Sequence, residues 1–118
     1  MTLEYIDWER NGVLVLNLTG KLVLGDGTRT FRQLIQDALA MGKKDIILNL
    51  AEVVHIDSSG LGELVNSHSI IKRQGGHLKL VRLTLRAHEL VNLTKLHTVF
   101  EIYDDEDSAL RSFRPLSA

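Results

Sequence analysis

Two short stretches of this chain are apolar almost without interruption: Val13-Leu14-Val15-Leu16-Asn17-Leu18 and Ile46-Ile47-Leu48-Asn49-Leu50. A strand with one wet face alternates apolar and polar residues, whereas an unbroken apolar run marks a strand covered on both faces. Between the two runs the spacing changes. Phe31, Leu34, Ile35, Ala38 and Leu39 fall at i, i+3, i+4, i+7 and i+8, one face of a helix. Gly42 is placed to end that helix in a left-handed conformation. Strand, helix and covered strand in that order form a crossover unit, which predicts a parallel sheet between layers.

The rest of the chain extends the pattern. Residues 3–8 read as an edge strand, and Asn11-Gly12 accepts the positive φ values of a hairpin turn into the first apolar run. Gly25-Asp26-Gly27 reads as a glycine-rich loop. After a strand at 45–50, Leu61, Leu64, Val65, His68 and Ile71 or Lys72 share a helical stripe that Gly75-Gly76 ends. Residues 78–81 form a further strand. Thr84 can cap a short helix carrying Ala87, Leu90, Val91 and Thr94, and residues 99–103 form a last strand. Asp104, Asp105 and Asp107 favour the start of a final helix through Ala109, Leu110 and Phe113, with Pro115 beyond it in a frayed tail. The expected fold is α/β: a mixed, mostly parallel sheet of about five strands with about four helices and an N-terminal β-hairpin. No linker, repeat or low-complexity segment divides the chain.

Length and charge narrow the function. At 118 residues the chain is one domain with room for a single core. Hydrophobic residues make up 44% and charged residues 25%, the balance of an ordinary soluble protein. No apolar run approaches the roughly 20 residues of a membrane span. Met1-Thr2-Leu3-Glu4 has neither the basic start nor the apolar stretch of a signal peptide. Without cysteine there is no disulfide, thiolate or zinc-thiolate chemistry, which suits a reducing compartment and a cytoplasmic location. The net charge is −1 with basic residues scattered among acids, so neither nucleic acid nor a membrane surface is an expected partner.

The chemistry concentrates in Asp57-Ser58-Ser59-Gly60-Leu61-Gly62. Asp and Ser are preferred N-caps because their oxygens accept the first unpaired amides of a helix. A hydroxyl there also sits at the positive end of the helix dipole, where an added phosphate is tolerated. The run therefore reads either as a cap or as a modifiable serine at a helix start. Gly60 and Gly62 leave that start without side chains, for close approach by a partner or for close packing on the sheet. Leu61 between them reads as core. From Asn49 to Ile71 the only charged residues are Glu52, Asp57 and Glu63, so no neighbouring cation is on hand to clamp a phosphate.

Other constellations carry less. The five histidines, His55, His68, His77, His88 and His97, lack metal-type pairing. His55, three residues before Ser58, suits a surface role or a contact with a phosphate when protonated. A small serine hydrolase using Ser58 or Ser59 is the enzymatic alternative, but Ile56 stands where the nucleophile elbow has glycine. Gly25-Asp26-Gly27 has neither Walker nor Rossmann spacing. Tyr5 and Trp8 read as edge-strand packing or as part of a dimer contact.

The hairpin, the alternating units and a strand followed by Asp57-Ser58-Ser59-Gly60-Leu61-Gly62 and a helix resemble the STAS domain, and within it the bacterial anti-sigma-factor antagonists. The resemblance covers residues 3–114 of a single domain spanning 1–118, and the six-residue loop matches the family's phosphorylation loop at every position. Gln74-Gly75-Gly76-His77-Leu78-Lys79-Leu80-Val81 resembles the family's segment after this helix. The resemblance implies a non-enzymatic switch with no cofactor, metal or catalytic residue of its own. A serine kinase that is also the anti-sigma factor would phosphorylate Ser58, and a serine phosphatase would reverse it. Unphosphorylated, the domain would bind the kinase and free the sigma factor. Asp57, Ser58, Ser59, Gly60, Leu61, Gly62 and Asp26 would face the partner, the protein itself being a monomer or weak dimer. In one respect the chain departs from the family: Val23 stands where many members carry an Asp, leaving Asp26 as a spatial substitute or a turn residue. The resemblance also implies an alternative for this chain: a docking subunit of a stressosome-like or lipid-transport assembly, with the loop as docking surface and no phosphorylation.

Overall fold

A computed structural model of the chain describes residues 2–113. Five strands form one sheet in the order β1-β2-β3-β4-β5. They are β1 (Glu4–Arg10), β2 (Val13–Leu22), β3 (Asp45–Ile56), β4 (His77–Val81) and β5 (Glu101–Tyr103). β1 and β2 are antiparallel, and every later pair is parallel. The hairpin turn has both central residues at positive φ, Asn11 at 52° and Gly12 at 81°, as the primed turns require. The helices are α1 (Asp26–Ala40), α2 (Ser58–Arg73), α3 (Leu85–Leu93) and α4 (Glu106–Arg111). Gly42, at φ 79°, follows the end of α1 as expected.

The alternation of side chains along the strands explains the layers. Leu14, Leu16 and Leu18 of β2, Ile46, Leu48 and Leu50 of β3, and Leu78 and Leu80 of β4 face one side. There they meet Phe31, Leu34 and Ile35 of α1, Leu61, Leu64 and Ile71 of α2, and Val91 of α3. Val13, Val15, Ile47 and Val81 face the other side, against Ala109 and Leu110 of α4. The two apolar runs are continuous because both of their faces are covered.

The second face is fastened by charge as well as by packing. Lys79 is 4% exposed, with Nζ 4.2 Å from the centre of the Phe113 ring, 2.6 Å from Ser112 Oγ and 3.5 Å from Glu101 Oε1. A buried ammonium requires such partners, since water is not there to solvate it. Arg10 donates to Glu106 at 2.7 Å and Asp107 at 2.9 Å, and Trp8 Nε1 donates to Glu106 at 3.3 Å. Trp8 therefore packs against α4 of its own chain. Tyr5, on the other face of β1, is 48% exposed.

Several elements differ from their sequence reading: β2 runs past Leu18 to Leu22, β4 starts at His77, and α4 ends at Arg111, short of Phe113. β1 begins at Glu4 rather than Leu3, which is buried in the main core, and runs on to Arg10. β3 continues past Leu50 to Ile56, because pairing with β2 persists from Glu52 on Thr19 to Ile56 on Leu22. Over that stretch Val53 is buried while Glu52, Val54 and His55 are exposed, so the apolar run ends before the strand does. Gly25-Asp26-Gly27 is not a loop: Gly25 is the N-cap of α1 and Gly27 lies buried in its first turn. A Cβ on Gly27 would stand 2.4 Å from the Lys21 carbonyl oxygen, so the glycine lets α1 begin directly against the end of β2. Residues 96–98 form a 3-10 turn, which shortens the last strand to Glu101–Tyr103. Pro115, and the last residue of the expected core at 114, lie outside the described residues.

Candidate functional site

The end of β3 delivers the serine loop to a surface. Asp57 is the extended N-cap of α2, with φ −100° and ψ −176°. One carboxylate oxygen accepts the Gly60 amide at 2.8 Å, closing the first turn. The other accepts the Leu24 amide at 3.0 Å, from the segment between β2 and α1. These amides, Leu24's foremost and then Gly60's, hold the Asp57 carboxyl below the usual carboxylate range. The Leu24 bond was invisible in sequence, because a backbone amide is the same at every residue and 33 positions separate the two.

Ser58 is the first residue of α2 and is exposed, whereas Ser59 is half-buried. Among the described residues the Ser58 hydroxyl has no hydrogen-bond partner, and it stands where the helix presents its unpaired amides. The triad geometry of a hydrolase does not form here: Asp57 orients two amides rather than an imidazole. Among the described residues the histidine with a carboxylate partner is His77, 3.2 Å from Asp45 and on another part of the sheet. His55 is exposed on β3, opposite Lys21. His68 packs edge-on to Phe100, 5.8 Å between centroids, and burial, then Lys72, holds its imidazole below the usual range.

The two loop glycines separate. Gly60 is buried, and a Cβ there would meet the Leu22 carbonyl oxygen at 1.9 Å. Gly62 is exposed, and a Cβ there would meet nothing within 4 Å. Leu61 is 6% exposed and belongs to the main core. Asp26 lies exposed in the first turn of α1, ion-paired with Arg29. Leu24, two residues earlier and bonded to Asp57, is 75% exposed, so α1's start and the serine loop share one edge of the molecule. Val23 is half-buried, with its carbonyl accepting the Thr28 amide at 3.1 Å. Arg32 of α1 reaches across to Glu63 of α2, a pairing the sequence did not disclose.

Comparison with known proteins settles the family. A model of the STAS domain matches residues 7–109. The chain belongs to the STAS domain family. It is 26% identical to the anti-sigma F factor antagonist of Paenibacillus polymyxa over 117 residues, covering 99% of this chain and 100% of that one. To the anti-sigma-B factor antagonist of Bacillus subtilis it is 38% identical over 64 residues, 54% of this chain and 59% of that one. The crystal structure of Thermotoga maritima TM1081 superposes with a TM-score of 0.88 at 28% identity, covering 94% of this chain and 95% of that one. The five-stranded mixed sheet with its N-terminal hairpin and four helices is thus a STAS fold. No helix of this STAS domain's described residues is long and apolar enough to cross a membrane. Among those residues no three His, Cys, Asp or Glu side chains gather as a metal site.

Proposed function

We propose that this STAS domain is an anti-sigma-factor antagonist that switches partners through phosphorylation of Ser58. Unmodified, its serine loop docks on an anti-sigma factor that is also a serine kinase, and the sigma factor is released. The kinase moves the γ-phosphoryl group of ATP to Ser58 Oγ, ADP leaves, and the hydroxyl proton is lost. A serine phosphatase hydrolyses the phosphoester and resets the loop. The nucleotide and its metal belong to these partners, and the domain is substrate and ligand rather than enzyme.

The observation that carries this reading is the exposed, unpartnered Ser58 hydroxyl at the first position of α2, beside an Asp57 already occupied by two amides. Phosphorylation adds about −1.5 to −2 charges at neutral pH. Helix amides favour that charge at this position. Arg29 and Arg32, the cations of α1 nearest in the fold's order, already hold Asp26 and Glu63. The phosphate then acts in trans, on a partner that meets Leu24, Asp26, Ser58 and Gly62 along one edge. The relatives named as antagonists of anti-sigma factors support the same role.

Intact mass after incubation with ATP and a candidate kinase tests it. A single added phosphate that persists in Ser59→Ala and vanishes in Ser58→Ala is the expected result. Modification that survives Ser58→Ala, or none from a kinase active on another antagonist, would overturn it.

A further inference from the structure

The short segment between β2 and α1 is firmly bonded. The Leu24 amide donates to Asp57 at 3.0 Å, and the Gly25 amide donates to Thr28 Oγ1 at 3.2 Å. The Val23 and Gly25 carbonyls accept the Thr28 and Arg29 amides, each at 3.1 Å. Gly25, at φ 109°, takes a conformation that side chains disfavour. This backbone holds residue 24 in place, yet the Leu24 side chain is 75% exposed. A solitary exposed leucine is ordinary on a protein surface. This one is tied to the carboxylate of the residue that precedes Ser58.

That tie decides what covers it. A kinase must bring its active site to Ser58 Oγ, and a stable protein contact covers roughly 800 Å² on each partner, a disc about 16 Å in radius. Centred on Ser58, such a disc includes Leu24, whose amide is bonded to the side chain of residue 57. The protein that modifies the serine therefore also lies over the leucine.

The segment offers that partner no free acid. Val23 is half-buried, and Asp26, the one carboxylate from 23 to 29, is ion-paired with Arg29 of its own helix. The Asp57 carboxylate is occupied by two amides. The last charged residues of β2 and β3, Lys21 and His55, oppose each other and are both basic in type. A cationic seat on the partner would find repulsion here, whereas an apolar seat would find Leu24.

We propose that Leu24 is the specificity-determining anchor of the kinase contact, entering an apolar seat on the kinase and keeping the seam beside Ser58 dry. This rests on the reading of Ser58 as the switch and adds the chemistry of the partner's surface. Burying the leucine drives water from the seam. A phosphate of about −1.5 to −2 charges cannot give up its water there without a cation to receive it. It keeps the seam wet, and the leucine loses its seat. One side chain thus supports binding of the unmodified form and rejection of the modified one.

The affinity of the candidate kinase, measured with ADP bound against unmodified and phosphorylated protein, tests the proposal. Leu24→Ser keeps the amide that Asp57 holds and changes only an exposed side chain, and its amide spectrum should match wild type outside residues 23–26 and 57–58. It should weaken the unmodified complex about ten-fold and the phosphorylated one hardly at all. KM for phosphorylation should rise with kcat unchanged, and Leu24→Met should bind as wild type. Met41→Ser should change neither affinity; that side chain is 74% exposed and stands about 22 Å away along α1. Wild-type binding by Leu24→Ser, equal weakening of both forms, or tighter binding by Leu24→Asp overturns the anchor while leaving Ser58 as the switch. A kinase active on another antagonist that leaves wild-type Ser58 unmodified overturns the reading of the switch, and the anchor with it.

Discussion

Gly60 and Gly62 stand on either side of Leu61 and perform opposite tasks. Gly60 lets the first turn of α2 press against the Leu22 carbonyl, while Gly62 faces open space. Gly60→Ala must displace backbone, and overpacking of that kind costs about 1–3 kcal/mol. Gly62→Ala should stabilise the protein by about 0.5–1 kcal/mol, because alanine loses less conformational freedom in a helix. Urea denaturation of the two variants checks both signs, and equal effects would refute the division. Sequence alone leaves such glycines equivalent, since neither carries a side chain that could join a pattern. The oxygen that separates them belongs to a residue 38 positions away from Gly60.

Between elements, Asp57 is the joint. Its carboxylate couples the start of α2 to the segment that leads into α1. Because its folded-state ionisation lies below the usual value, the stability it gives is present above pH about 4, its unfolded range. That stability is lost as pH falls through the folded value. In Asp57→Asn the single side-chain oxygen serves one amide while the NH2 group faces the other, a loss of about 1–2 kcal/mol at neutral pH. The gap between wild type and variant should therefore close on acidification, which denaturation from pH 7 to 2 would reveal. A gap constant with pH would show that the charge is irrelevant. Element boundaries were the part of the fold least legible in sequence, for related reasons. Continuous apolar residues report where both faces of the sheet are covered, so β3 was visible to Leu50 and hidden from there to Ile56. Gly27 looked like loop because close backbone approach leaves no residue pattern. By contrast, the cap Thr84 was readable, being a local bond to the amide of Ala87, whereas Asp105 stood only among three acids favouring the start of α4 until the structure placed it on the amide of Ser108.

At the scale of the whole molecule, the serine loop stands on a sheet packed on both faces, with Leu61 in the main core. Ser58 is exposed and its hydroxyl makes no hydrogen bond among the described residues, so a phosphate there breaks no contact of the fold. Amide spectra of modified and unmodified protein should therefore coincide except near residues 57–62 and 24–26. Shifts spreading through the core strands would replace steric and electrostatic exclusion with a conformational switch. The alternation of covered strands and amphipathic helices made this architecture legible, along with the place of Ser58 at the start of α2. The edge shared by Leu24, Asp26 and Ser58 was not, because it arises where segments distant in sequence meet.

The strands occupy the sheet in the order in which they are encoded. A nascent chain leaving the ribosome can thus close the hairpin first and lay each later strand on the margin its predecessor has just supplied. No finished pair has to be reopened for a late arrival. The strands whose second face α4 covers all precede it in the chain, so α4 is the last element to reach that face.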